Sequence, residues 1–317
     1  MEELSMEALQ RIEGRLEAGG PVILDGAIGT ELERLGARMD QGVWCARALA
    51  DRPDLVHEVH RRYIDAGADV ITANSYSATR EAMQRHGLAA HFEDWNRRAA
   101  RIALEERDRS SRSGSVAVAG SVSSYGRFDA LDWEPLLDHF RAQGEILVEE
   151  GVDLMILESL GSIARTVRAM VSATKDLGVP VWVALSCLRD RDTGAVMHGI
   201  EESGEASHVA ETYGPLAEAV REILSVGGSA VLMMHSVRDV TEDAVKILRG
   251  AYSGPVGAYP NAGYWTRPNW AFVDQVSPDE YLDDARRWVE AGAAIVGGCC
   301  GVGVEHIRAV ADGLKGS

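Results

Sequence analysis

Eight short apolar runs, each followed by a longer stretch with helical spacing, constrain this chain more than any other feature. The runs are Val22-Ile23-Leu24, Val70-Ile71-Thr72-Ala73, Val116-Ala117-Val118-Ala119, Leu154-Met155-Ile156-Leu157, Val181-Trp182-Val183-Ala184-Leu185, Ala230-Val231-Leu232-Met233-Met234, Val256-Gly257-Ala258 and Ala294-Ile295-Val296. Rich in branched residues and nearly free of polar ones, they read as strands buried on both faces, the pattern of a parallel sheet covered by helices. Eight such units in 317 residues predict an α/β fold, a closed (β/α)8 TIM barrel forming one domain over 1–317. Helices are expected over 53–66, 133–150, 216–225, 242–249, 278–291 and 304–314, the first opening on a proline and stopping at Gly67. Residues 1–20 hold an amphipathic helix that precedes the first strand and is expected to plug the barrel's bottom. The connections 26–52, 75–95, 121–132, 187–215 and 261–277 read as expanded loops, and the polar 107–115 as a solvated turn.

Barrel enzymes build their sites where strands end at the C-terminal face. The residues in those places are Asp25, Asn74, Ser121, Glu158, Ser186, His235, Tyr259 to Asn261, and Cys299. Polar residues also simply begin loops, but here all eight ends are polar or able to bind a metal. The last end is the most informative, because Gly297-Gly298-Cys299-Cys300-Gly301 places two adjacent thiols among glycines. Soft thiolates select zinc among common cellular ions, and a catalytic zinc takes three protein ligands and keeps a fourth place open. Two small buried cysteines are the plainer reading, and a disulfide between neighbours demands strained geometry. In a barrel the sixth and eighth strand ends face one mouth, so His235 can join Cys299 and Cys300 in a Cys2His zinc site. The open position can hold a substrate thiol as thiolate or activate water for hydrolysis, so the metal alone leaves the reaction open.

Asp25 and Glu158 offer two carboxylates suited to an ammonium group, although loop capping or a salt bridge explains either one. Trp44, Tyr76, Tyr125, Tyr259 and Trp265 fall on the loop side, where aromatic faces attract methylated cations. Tyr125, Tyr259 and Trp265 are read as loop packing, while Trp44 and Tyr76 stay open between the two roles. The Asp25-Gly26-Ala27-Ile28-Gly29 step lacks the lysine and spacing of a phosphate loop.

Composition narrows the partners. A formal charge of −17 and a pI near 5.0, with no basic cluster, oppose nucleic-acid binding. With 46% hydrophobic and 26% charged residues, the chain reads as a globular enzyme. The acidic start predicts no export signal, and no apolar stretch is long enough for a membrane span. Cys45, Cys187, Cys299 and Cys300 show no disulfide spacing and fit a reducing cytoplasm.

Several ordered segments resemble one family. They are Leu24-Asp25-Gly26-Ala27-Ile28-Gly29-Thr30-Glu31-Leu32, Trp44, His60, the stretch YIDAGADVITAN over 63–74 with Ser75-Tyr76, DLMILE over 153–158, Tyr259-Pro260-Asn261-Ala262-Gly263, and GGCCG over 297–301 with Glu305-His306-Ile307. Over nearly the whole chain this is similar to the homocysteine S-methyltransferase family, zinc barrels related to betaine- and S-methylmethionine-homocysteine methyltransferases. The resemblance implies Zn2+ on Cys299 and Cys300, homocysteine held by Asp25, Gly26 and Glu158, and a methyl-donor wall at Trp44 and Tyr76. Asn74 ends one of the matching segments and joins the expected substrate-binding set. It implies a zinc-bound thiolate attacking a methyl group on a sulfonium or quaternary ammonium donor, with methionine as product. The partners are then a small thiol and a methyl donor, with neither nucleic acid nor membrane.

The departures matter too. The family's Asn-Cys at the sixth strand end reads Met234-His235 here, so histidine stands in for the third cysteine, unless Cys187 moves in. The Gly-Pro step after the third strand is missing, and Ser159 stands where betaine-using relatives carry an aromatic residue, which disfavours betaine. Two other readings remain: a zinc barrel hydrolase, and a binding protein for methylated compounds with an altered metal site.

Overall fold

The strands of the computed structural model follow the eight runs. They are β1 (Val22–Ile23), β2 (Val70–Thr72), β3 (Ala117–Ser123), β4 (Leu154–Ser159) and β5 (Val181–Leu185), then an antiparallel three-stranded sheet of β6 (Cys187–Arg189), β7 (Val196–Gly204) and β8 (Ser207–Pro215). Next come β9 (Ala230–Met234), β10 (Val256–Tyr259), the hairpin β11 (Tyr264–Thr266) and β12 (Ala271–Val273), and β13 (Ile295–Val296). The structure describes residues 2–128, 130–204, 207–266, 271–273 and 275–315. Eight strands pair in parallel in the order β1-β13-β10-β9-β5-β4-β3-β2. The ring closes where Leu24 bridges Val70, with Asp69 N donating to Ile23 O at 2.7 Å and Asp25 N to Val70 O at 3.0 Å. This is the (β/α)8 barrel that the alternating pattern predicts.

Alternation along each strand divides the core into two layers. Ala117, Ala119, Leu154, Ile156, Trp182, Ala184, Leu232 and Met234 pack inside the barrel, where the alanines leave room for the Trp182 indole. Val118, Met155, Leu157, Val183, Val231 and Met233 face the surrounding helices. The helix Glu2–Glu17 puts Ala8 and Ile12 into the inner cluster, and so plugs the barrel as expected.

Helix positions agree with the pattern except where branched or charged residues blur it. Arg238–Ala251 begins four residues before the expected 242, because Val240 and Thr241 are poor helix formers in isolation yet belong to its buried face. The span 107–115 is no solvated turn throughout. Arg107 lies in the last turn of the helix Phe92–Arg109 and is almost fully buried against Asp153, at 3.1 Å. The 187–215 connection is largely the β6–β8 sheet rather than an irregular loop. Among the described residues no helix is long and apolar enough to cross a membrane.

Candidate active site

Two strand ends are shaped to bring three ligand atoms together. β9 stops at Met234, and His235 then takes the left-handed region, φ 41°, which side-chain-bearing residues rarely adopt. Ser236 holds this turn, its hydroxyl donating to Met234 O at 2.7 Å and accepting from Cys187 N at 2.8 Å. β13 is only two residues long before Gly297 and Gly298 turn the chain. A Cβ at Gly297 would lie 2.4 Å from Leu24 Cβ, and one at Gly298 2.0 Å from Val302 Cγ1, so both positions demand glycine. The following thiols are fixed through their backbone, with Cys299 N donating to Pro260 O at 2.9 Å and Cys300 N to Asn261 Oδ1 at 3.1 Å. Asn261, expected at the mouth, is therefore a buried brace for the cysteine loop.

His235 Nδ1 lies 3.6 Å from Cys299 Sγ and 3.5 Å from Cys300 Sγ, and the two sulfurs are 3.9 Å apart. Tetrahedral zinc with bonds of about 2.3 Å to sulfur and about 2.0 Å to nitrogen needs ligand separations of about 3.8 Å between sulfurs and about 3.5 Å between sulfur and nitrogen. The three atoms thus fit zinc without rearrangement. The neighbouring Cys300 thiol and burial hold the Cys299 thiol well above its usual pKa, and a cation beside it would favour the ionised form. Among the described residues this is the one group of three His, Cys, Asp or Glu side chains close enough to hold a metal. Cys187 does not join it; burial pushes that thiol up to about 12.

Two carboxyl groups stand across the mouth. Asp25, 5% exposed, accepts from Thr72 N at 2.7 Å and Thr72 Oγ1 at 3.0 Å. Glu158 accepts from the Ser121 hydroxyl and from Tyr259 OH at 3.4 Å. Burial pushes Asp25 up to about 8 and Glu158 up to about 7, against the pull of these hydrogen bonds. A cationic ligand group would restore both to the charged form.

Asp25, Gly26, Trp44, Asn74, Tyr76, Glu158, His235, Cys299 and Cys300 all line one cavity of about 870 Å3. Sequence reasoning thus names residues that the fold does gather. Gly26 cannot carry a side chain, since a Cβ would sit 2.3 Å from Val302 O. The Asn74 side chain is occupied in bracing its neighbour: its amide donates to Cys45 O and its oxygen accepts from the Cys45 thiol, both at 3.1 Å. The Trp44 ring packs edge-on to Tyr76, centroids 6.1 Å apart, on a backbone with φ 38°. Tyr125 and Tyr259, read above as loop packing, also line the cavity, whereas the Trp265 side chain lies outside the described residues. Thr72 was missed, because a polar residue inside an apolar run gives no signal of which carboxylate it will meet. Ser121, expected at a strand end, sits inside β3, and Ser186 accepts from Gly161 N outside the cavity.

The family model for homocysteine S-methyltransferase matches residues 22–314. Homocysteine S-methyltransferase 4 of Zea mays is 31% identical, over 94% of this chain and 91% of its own length. Selenocysteine methyltransferase of Astragalus bisulcatus is 28% identical, over 93% and 92%. The metallated crystal structure of the homocysteine methyltransferase MmuM from Escherichia coli superposes with a TM-score of 0.75 at 24% identity, over 95% of this chain and 99% of that one, and shows the shared fold.

Proposed function

Because this chain belongs to the homocysteine S-methyltransferase family, we propose that it moves a methyl group from a sulfonium donor to the thiol of homocysteine, giving methionine. The observation that carries this reading is the spacing of His235 Nδ1, Cys299 Sγ and Cys300 Sγ, which suits tetrahedral zinc, in one cavity with the carboxyl groups of Asp25 and Glu158. His235, Cys299 and Cys300 would hold Zn2+. The metal, when bound, supplies a positive charge that keeps a substrate thiol ionised near neutral pH.

The chain's own residues do the rest. Asp25 and Glu158 bind the homocysteine ammonium, each positioned by donors on the neighbouring strand, Thr72 and Ser121. Trp44, Tyr76 and Tyr125 offer aromatic faces to the sulfonium. The substrate thiol releases its proton to solvent on binding. Its sulfur then forms a bond to the methyl carbon as the donor's sulfur–methyl bond breaks, and that electron pair leaves with a neutral thioether. Histidine in place of a third thiolate gives the site one less negative charge, so it holds a thiolate more tightly and favours sulfonium over less activated ammonium donors. Residues 1–317 act as one barrel domain in this reading, with no part for nucleic acid, and the free cysteines suit the reducing cytoplasm.

The test supplies purified protein with homocysteine and S-methylmethionine, follows methionine by mass spectrometry, and measures zinc by elemental analysis. We expect about one zinc per chain, and loss of both metal and product in Cys299→Ser/Cys300→Ser. Full metal in that variant, or no methionine from the zinc-loaded parent, overturns the reading.

A further inference from the structure

The outer half of the cavity is acidic as well as aromatic. Asp40 and Glu33 line it together with Trp44, Tyr76 and Tyr125, and among the described lining residues there is no lysine or arginine. The rings form one continuous wall: Tyr76 packs against Trp44, centroids 6.1 Å apart, and against Tyr125, 5.7 Å apart, and the charges of Cys45, Arg85 and Asp40 all act on the Tyr125 phenol. Asp40 is anchored where the chain doubles back toward Trp44. Its N–H donates to Trp44 O at 3.2 Å, and its Oδ1 accepts from Gly42 N at 2.6 Å and Val43 N at 3.0 Å. Both backbone donors meet the same oxygen, so Oδ2 makes no hydrogen bond within the described residues. Burial alone would raise the pKa of this carboxyl, but the two N–H groups and the charge of Arg47 outweigh it and hold the group below its usual value. Arg47 pairs with Asp51 at 2.8 Å and Arg85 with Glu81 at 3.3 Å, while the His86 ring packs against Gly42 and also acts on the Asp40 charge.

We propose that Asp40, supported by Glu33, is a specificity-determining residue for the methyl donor, selecting sulfonium compounds whose tail carries an ammonium group and rejecting those whose tail carries only a carboxylate. The inference rests on the methyl-transfer reading above. A donor with its sulfonium methyl at the metal ligands and its ring contacts at Trp44, Tyr76 and Tyr125 must extend its tail outward, past Asp40 and Glu33. An ammonium there meets a carboxylate fixed in place, with Asp40 Oδ2 left to accept from it; a lone carboxylate meets the like charges of the half-buried Asp40 and the exposed Glu33.

The experiment compares S-methylmethionine, whose tail bears an ammonium beside its carboxylate, with dimethylsulfoniopropionate, whose tail bears a carboxylate alone. Both are given to the zinc-loaded protein with saturating homocysteine, and kcat/KM is measured for each. We expect the parent to prefer S-methylmethionine by at least about tenfold, and Asp40→Asn to shrink that ratio by about threefold to tenfold. Asparagine keeps the Oδ1 acceptor for Gly42 and Val43 and so preserves the turn, and Glu33→Gln provides a second, weaker change in the same direction. A parent that prefers dimethylsulfoniopropionate, or a ratio unmoved in both variants, overturns the inference. If neither donor yields methionine, the methyl-transfer reading fails instead. Calorimetric affinities of the two donors for the parent then decide the charge preference alone, with equal affinities counting against it.

Discussion

Two pairs of carboxylates at opposite ends of this barrel, Asp69 with Asp153 and Asp25 with Glu158, find different partners. At the N-terminal end Asp69 accepts from Arg15 at 2.8 Å, from Lys315 at 2.7 Å and from Arg112 at 3.4 Å, while Asp153 accepts from the buried Arg107. Those contacts tie the first helix, the last helix and the strand starts into one staple. At the C-terminal end Asp25 and Glu158 receive, among the described residues, hydroxyl and backbone donors. The same residue type is thus paired with arginine or lysine where it ties the fold together, and lacks such a partner, among the described residues, where Asp25 and Glu158 line the cavity. A charge without an internal partner costs stability, and a site that must bind a cation accepts that cost.

Removing a partner at each end separates the two uses. Asp153→Ala removes the fully buried partner of Arg107, which keeps its contact with the more exposed Asp108 at 2.8 Å, so denaturant unfolding should show a loss of about 3 kcal/mol. A loss under about 1 kcal/mol would deny that this end is built for stability. Glu158→Gln should leave stability within about 1 kcal/mol, yet weaken homocysteine binding by about 2 kcal/mol, roughly thirtyfold, in calorimetry at unchanged zinc content. Affinity within about twofold of the parent would remove the ammonium from the site.

A pH series sharpens the contrast at Asp25. Its folded-state pKa, about 8, lies above the ordinary 3.8, so the unfolded chain loses this proton first. The contribution of Asp25 to stability therefore falls as pH rises from about 4 to about 8, because in that window the ligand-free folded protein holds a proton that the unfolded chain has released. Asp25→Asn has no such proton, so its melting temperature relative to the parent should climb across the window; a flat difference would mean that Asp25 is already charged. The smallest effect is expected at His235. His235→Cys should keep zinc and stay within about 1 kcal/mol of the parent, since both residues bind zinc and neither relieves the left-handed backbone. Unchanged metal in His235→Ala would strike it from the ligand set.

How far these residues were readable follows from how local their signals are. The eight strands were legible because burial on both faces demands uninterrupted apolar runs, and runs that short need no knowledge of their neighbours. The cysteine pair, His235, Asp25 and Glu158 were legible for a related reason: each ends such a run, and a barrel sends all run ends to one face. The buried role of Arg107 was not, because a charged residue at a helix end looks solvated until Asp153 is placed opposite it. Nor was the bracing role of Asn74, whose partner is 29 residues away. Asp40 gave no signal either, since its lone oxygen acquires meaning only beside Tyr125 and the cavity.

The sequence by itself determined the repeating strand–helix architecture, the metal-capable residue types and the acidic balance, since periodicity and composition are properties of a chain read in one dimension. Tertiary structure alone decided that His235 and the two thiols meet at zinc-like distances, that Ser121 and Tyr259 turn toward Glu158, and that Asp69 and Asp153 find arginine or lysine while Asp25 and Glu158, among the described residues, do not. Ligand geometry and charge compensation are relations between residues far apart in the chain, and only closure of the barrel sets their distances.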